Sequence, residues 1–274
     1  MNGAELGFGS ALGIDLQGLL LPVIPLCDLK VDALFSRIDE KFLLPTGALP
    51  ALLTALGRSH VAVSVGGRVR QPYLSRYFDT LQLRCFHDHR RGVLPRVKVR
   101  LRTYETTGLT FLEVKRKSGN GRTEKHRVRV ERLDAQGITL ALSQLADQVG
   151  LSAGLWCPVL DVAYDRLTFV DSAMPTERLT IDSGLGFDPT PGTAFIRSAS
   201  PMALDGVIIV ERKRAHRGTS PTLDVLRQCR AVRTSFSKYA MGMTLTHTTL
   251  PHHRFRDGLR LAHRLSRVGY FESA

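Results

Sequence analysis

Cations recur at every second position along Arg96, Lys98, Arg100 and Arg102, and the pattern returns in Glu113, Lys115 and Lys117 and in Lys125, Arg127 and Arg129. Side chains two apart on a strand share a face. Each of these segments therefore presents its charges on one side and Val97, Val99, Leu101, Leu112, Val114, Val128 and Val130 on the other. Arg dominates, and its planar fork meets phosphate oxygens with two parallel hydrogen bonds. The chemistry this suggests is the holding of an anion by ordered, fixed cations. A solvated outer face is the alternative, but such faces usually mix signs, because like charges across a strand pair cost stability.

Further strands repeat the arrangement. Arg37, Asp39 and Lys41 share one face, as do Tyr164 and Arg166, then Arg178, Thr180 and Asp182, then Glu211 and Lys213. Period-two alternation predicts strands over 37–44, 73–80, 95–104, 110–117, 125–131, 159–169, 178–183 and 207–214. Helical patterns fall at 49–56, at 140–149, at 222–232 announced by Ser220 as N-cap and Pro221 at the first helical position, and at 255–267. This is one β-rich domain with helices laid against it. If the charged faces point inward, the sheet closes into a barrel with a basic lumen, its apolar faces covered by the helices and an N-terminal arm.

The composition fits that picture and excludes several others. The chain has 274 residues, 43% hydrophobic and 23% charged, with a formal net charge of +13. That excludes wholesale disorder and predicts an anionic partner. The apolar stretch Leu19–Cys27 is broken by Pro22 and Pro25, far short of a membrane span, and lacks a basic flank. Cys27, Cys85, Cys157 and Cys229 form no CxxC pair. They read as reduced thiols of a cytoplasmic protein. Neither a P-loop nor a GxGxxG loop is present. His87, His89, His252 and His253 read as solvent-exposed rather than metal-bound.

At this point the segments RIDEKFLL (37–44), SRYFDT (75–80), RVKVRLRTY (96–104) and FLEVKRKSGNGRTEKHRVRV (111–130) resemble the VTC-domain, or polyphosphate polymerase domain, branch of the triphosphate tunnel metalloenzymes. LDVAYDRLTF (160–169), RLTID (178–182), VIIVERKR (207–214) and FSKYAMG (236–242) continue the match in the family's order. The resemblance implies an α+β fold, mainly antiparallel: a closed eight-stranded β-barrel with helices outside. With the Gly- and Leu-rich start and the basic amphipathic end, the chain divides into an arm or cap over residues 1–33, a tunnel domain over 34–250 and a basic C-terminal helix over 251–274. Carried over by position, Lys41, Arg100, Arg102, Lys115, Arg166, Arg178 and Lys238 would be catalytic. Arg37, Lys98, Lys117, Lys125, Arg127, Tyr164, Lys213 and Ser237 would bind substrate. Glu211, with Glu113 and Asp39, would hold Mn2+ or Mg2+; relatives usually carry Glu at the Asp39 position. Ser235 stands where some polymerases have a further Lys.

The implied activity is transfer of the terminal phosphate of a nucleoside triphosphate, ATP above all, to polyphosphate. A tri- or polyphosphatase and a non-catalytic polyphosphate- or nucleic-acid-binding module are the alternatives. Exposed aromatics for stacking bases are scarce, which weighs against nucleic acid. The basic tail, with Arg254, Arg256, Arg260, Arg264 and Arg267, suggests contact with an acidic membrane surface or a membrane-protein partner.

Overall fold

The computed structural model describes residues 21–29, 38–119, 123–149, 156–172, 177–189, 195, 197–198, 200–214 and 220–271. In chain order these form β1 (Val23–Pro25), β2 (Ile38–Pro45), α1 (Leu49–Leu56), β3 (His60–Ser64) and β4 (Gln71–Asp79). Helix α2 (Arg84–Arg91) leads into the consecutive hairpin strands β5 (Arg96–Tyr104), β6 (Leu109–Lys117) and β7 (Thr123–Arg129). Next come α3 (Ala135–Val149), β8 (Cys157–Asp171), β9 (Arg178–Asp188), β10 (Met202–Leu204) and β11 (Val207–Arg214). The last elements are α4 (Pro221–Gln228), β12 (Val232–Thr234), α5 (Lys238–Thr246) and α6 (Arg256–Phe271).

One sheet runs in the order β12-β2-β11-β9-β8-β4-β5-β6-β7, and every pair along that path is antiparallel. Among the described residues no ladder joins β7 to β12. The expected closed eight-stranded barrel is therefore corrected to an open, curled sheet. Charge at the edge gives a reason: β7 reads TEKHRVR and is largely exposed, a composition that resists further pairing. The curl nevertheless brings the ends close. Lys115 Nζ on β6 lies 4.0 Å from Asp39 Oδ2 on β2.

Alternation decides what each face buries. On the convex side, Phe42, Leu44, Ile208, Val210, Leu179, Ile181, Leu167 and Phe169 pack against Leu49, Leu52, Leu53 and Leu56 of α1. Each such leucine contributes roughly 1.5–3 kcal/mol by leaving water. Val99, Leu101, Leu112 and Val114 pack against Ala141 and Leu145 of α3. The concave side is divided. Leu43, Ile209, Leu160, Val162 and Phe187 meet Tyr239, Met241 and Met243 of α5. Beyond α5 the same face carries the charged rows.

Helix α2 was not visible in the sequence. RCFHDHRR buries only Cys85 and Phe86, too little to make a helical stripe. Asp79 Oδ1 accepts from Cys85 N at 2.8 Å and Oδ2 from Phe86 N at 2.9 Å, which satisfies the helix start. The Tyr239 hydroxyl donates to the same carboxylate and ties α5 to this corner. Helix α4 stops at Gln228 instead of reaching Val232, because Arg230 turns left-handed at φ 55° and releases the chain into β12.

Of the N-terminal arm, β1 pairs in parallel with β3, while 1–20 and 30–33 lie outside the described residues. Helix α6 packs Leu261 and Ala262 into the concave-side core. Among the described residues no helix is long and apolar enough to cross a membrane. The four cysteines are free.

Candidate anion-binding site

Ladder register assembles the site. Lys98 stands opposite Lys115, and Lys115 opposite Lys125, so three lysines face one another across β5, β6 and β7. The neighbouring row is Tyr77, Arg100, Glu113 and Arg127 across β4 to β7. On the other half of the curl, Lys41 is opposite Glu211, and Glu211 opposite Thr180. Asp39, Lys213 and Arg178 form the next row, and Asp182 pairs with Arg166.

Two carboxylates are saturated with cations. Arg100 Nε donates to Glu113 Oε2 at 2.7 Å, Lys125 Nζ lies 2.6 Å from Oε1, and Arg102 Nη1 is 3.9 Å from Oε2. Burial alone would raise the Glu113 pKa, but Arg100, Arg102 and Lys125 outweigh it and hold the group well below the usual range. Arg166 grips Asp182 with Nε at 2.6 Å and Nη2 at 2.8 Å, and Lys238 donates to the same group. Asp182 is likewise held ionised despite burial, by Arg166 and Lys238.

Lys98 lacks such relief among the described residues. Lys98 Nζ donates only to a neutral group among its hydrogen bonds, Ser237 Oγ at 2.9 Å. Burial, then Lys41 and Lys115, push its pKa well below the ordinary lysine value. Lys41 Nζ donates to the Phe236 carbonyl at 3.0 Å. Lys213, 3.1 Å from Glu211 Oε2, is brought down to about 8, chiefly by burial against the pull of Glu211. Ser237 caps α5, so the positive end of that helix adjoins Lys98 and Lys238.

The structure thus gathers Lys41, Lys98, Arg100, Arg102, Lys115, Arg166, Lys213, Ser237 and Lys238 about the concave face. Lys117 lies farther along β6 opposite Arg96, and Arg127 is exposed with its guanidinium 4.9 Å from the Phe111 ring centroid. Arg178 is half-buried opposite Lys213. Arg37 lies outside the described residues. The buried Tyr164 Oη and Thr180 Oγ1 have no hydrogen-bond partner among the described residues.

The three carboxylates expected to hold metal are not brought together. Among the described residues no three His, Cys, Asp or Glu groups gather as a ligand set. Asp39 and Glu113 instead pair with lysine and arginine, because cations supply most of this face. Glu211 also pairs with a cation, Lys213 at 3.1 Å, and stands opposite Lys41 and Thr180. Burial would raise its pKa, yet Lys213, Lys41, Arg166 and Lys238 hold it well below the carboxylate range. With the Thr180 hydroxyl opposite, this is an all-oxygen set of the kind a hard divalent cation takes, the remaining ligands coming from phosphate and water.

Sequence reasoning missed Asp182 as the partner of Arg166 and Tyr77 as a neighbour of Arg100. Asp182 was visible in its row, but its pairing depends on the β8–β9 register. The histidines need correction. His87 and His89 are half-buried on α2 rather than exposed, and burial, with Lys98 and Arg96, drives His89 down to about 2.

Comparison with family models matches residues 36–247 to the VTC domain. Similar solved folds include HpAC1 from Hippeastrum, described as a candidate adenylyl cyclase with a dominant triphosphatase activity. It is 15% identical, with 76% of this chain and 96% of that one covered at a TM-score of 0.45. PH1819 from Pyrococcus horikoshii OT3 is 9% identical, with 76% and 98% covered at 0.42. A search of curated proteins gives no match.

Proposed function

The chain belongs to the VTC domain family, and on that premise we propose that it is a divalent-metal-dependent polyphosphate polymerase. It moves the terminal phosphate of a nucleoside triphosphate, ATP in the first instance, onto a polyphosphate chain lying along the concave face. The observation that carries this reading is the Lys98–Lys115–Lys125 row. Lys125 has Glu113 beside it and Lys115 has Asp39, but half-buried Lys98 meets no carboxylate among the described residues, so the opposed like charges there cost stability unless an anion neutralises them.

Phosphoryl transfer needs in-line positioning and neutralised charge more than covalent chemistry. In this reading Lys41, Arg100, Arg102, Lys115, Arg166, Arg178 and Lys238 hold the transferring group. The remaining cations, with the Tyr164 and Ser237 hydroxyls, hold the chain. Glu113 and Asp182 fix Arg100 and Arg166 in place. The terminal oxygen of the chain attacks the γ-phosphorus, the bond to the β-phosphate oxygen breaks, and ADP leaves. Glu211 would hold a divalent cation, which would supply further neutralisation of phosphate oxygens.

A reducing cytoplasmic setting accords with four free cysteines. The test is incubation with ATP and Mn2+, with ADP, free phosphate and polyphosphate measured separately. Polyphosphate formed with ADP supports the polymerase. Free phosphate as the sole phosphate product moves the assignment to a triphosphatase, and tight polyphosphate binding without turnover to a binding module.

A further inference from the structure

The concave face carries a second chemical zone at the end nearest the β5–β6 hairpin. Tyr164, Tyr73 and Tyr104 are consecutive partners across β8, β4 and β5. Phe111 follows on β6, opposite Arg102. The Tyr73 and Tyr164 rings stack at 5.2 Å, Tyr73 and Tyr104 meet at 5.1 Å, and Tyr104 meets Phe111 edge-on at 6.0 Å. In a chain with 7% aromatics and six tyrosines, this concentration beside the charged rows calls for an explanation beyond chance.

The zone is continuous with the cations. Arg102 and Arg166 lie 5.5 Å and 5.2 Å from the Tyr73 ring centroid, so that ring is already occupied. Tyr164 is buried. The Phe111 ring likewise carries the Arg127 guanidinium, whereas Tyr104, half-buried at the outer end of the arc, has no cation over its ring among the described residues. Tyr104 is two residues from Arg102 on one face of β5, roughly 7 Å along the strand. That separation is about what a ribose bridges between a base and its phosphates.

We infer that Tyr104 forms a stacking platform for the nucleobase of the donor nucleotide, with Phe111 bracing its ring edge-on and Arg102 receiving the phosphates that follow. The inference rests on the reading that a nucleoside triphosphate is the donor. A ring face is offered by every base, so the platform binds adenine and guanine nucleotides with similar strength. No base-edge recognition is needed.

The test compares binding of the β,γ-imido analogue of ATP with binding of inorganic tripolyphosphate to the full chain by calorimetry. Tyr104→Leu weakens the imido-ATP complex about tenfold, the loss of one stacked base, and leaves the tripolyphosphate affinity unchanged. Tyr104→Phe retains both. Unaltered imido-ATP binding in Tyr104→Leu overturns the platform, as does equal loss for both ligands. A single-stranded oligonucleotide that outcompetes imido-ATP also overturns it. Failure of the unsubstituted protein to bind tripolyphosphate would instead sink the underlying phosphate-face reading. The tripolyphosphate arm also reports that the variant is folded.

Discussion

Lys98 stands directly opposite Lys115 across the β5–β6 ladder, and Lys115 also faces Lys125. The arrangement favours an anion at the expense of the free protein. Lys98→Met should therefore stabilise the ligand-free protein by about 0.2–1 kcal/mol, the cost of opposed like charges. The same change should weaken tripolyphosphate binding roughly tenfold or more, through loss of a charge-assisted hydrogen bond. Thermal unfolding and calorimetry read the two effects. A variant that is less stable and binds unchanged would contradict the assignment.

Lys213 provides a pH signature. Its folded-state value of about 8 lies below the ordinary 10.5, so the unfolded chain binds more protons between those values. Stability of the free protein should accordingly rise as pH increases from about 8 toward 10. Bound polyphosphate restores the proton to Lys213, so binding near pH 8 should take up protons. Calorimetric enthalpies in buffers of different ionisation heat would show the uptake. Proton release at that pH would contradict it.

Glu211→Gln removes the proposed metal carboxylate while keeping its shape. Turnover should be lost, and tripolyphosphate binding measured without metal should be retained or strengthened, because one negative charge leaves a cationic face. Persistent turnover would take Glu211 out of the metal site.

Stability outside the site depends on the opposite face of the same strand. Arg212 alternates with Glu211 and Lys213, points to the convex side and is fully buried. It pairs with Glu177 at 2.7 Å and 2.8 Å and with Glu40 at 2.9 Å. Arg212→Met leaves buried Glu177 without its arginine, while Glu40 keeps Arg214 and Arg233, and should cost about 3–5 kcal/mol in urea unfolding. A loss under about 1 kcal/mol would show that Glu177 finds another partner.

The long strands were legible because one apolar face and one charged face give a strict period of two; Val207–Arg214 was read to the residue, and Arg96–Tyr104 to within one. Short β3 and β12 were not, since five and three residues carry too little alternation. Helix α2 depends on the distant Asp79 carboxylate, and α5 is buried nearly all round, so neither shows an amphipathic stripe. The cationic rows could be read residue by residue. Which rows meet could not, because Lys115 with Asp39 and Lys238 with Asp182 are contacts of curvature rather than of spacing.

The central claim is the destination of the transferred phosphate. The direct measurement follows γ-labelled ATP with Mn2+, sizing products on a gel and counting ADP against label in chains. The account predicts one ADP for each phosphate incorporated and chains that lengthen with time. ADP matched by free labelled phosphate, with no chain formed at any time, would contradict it.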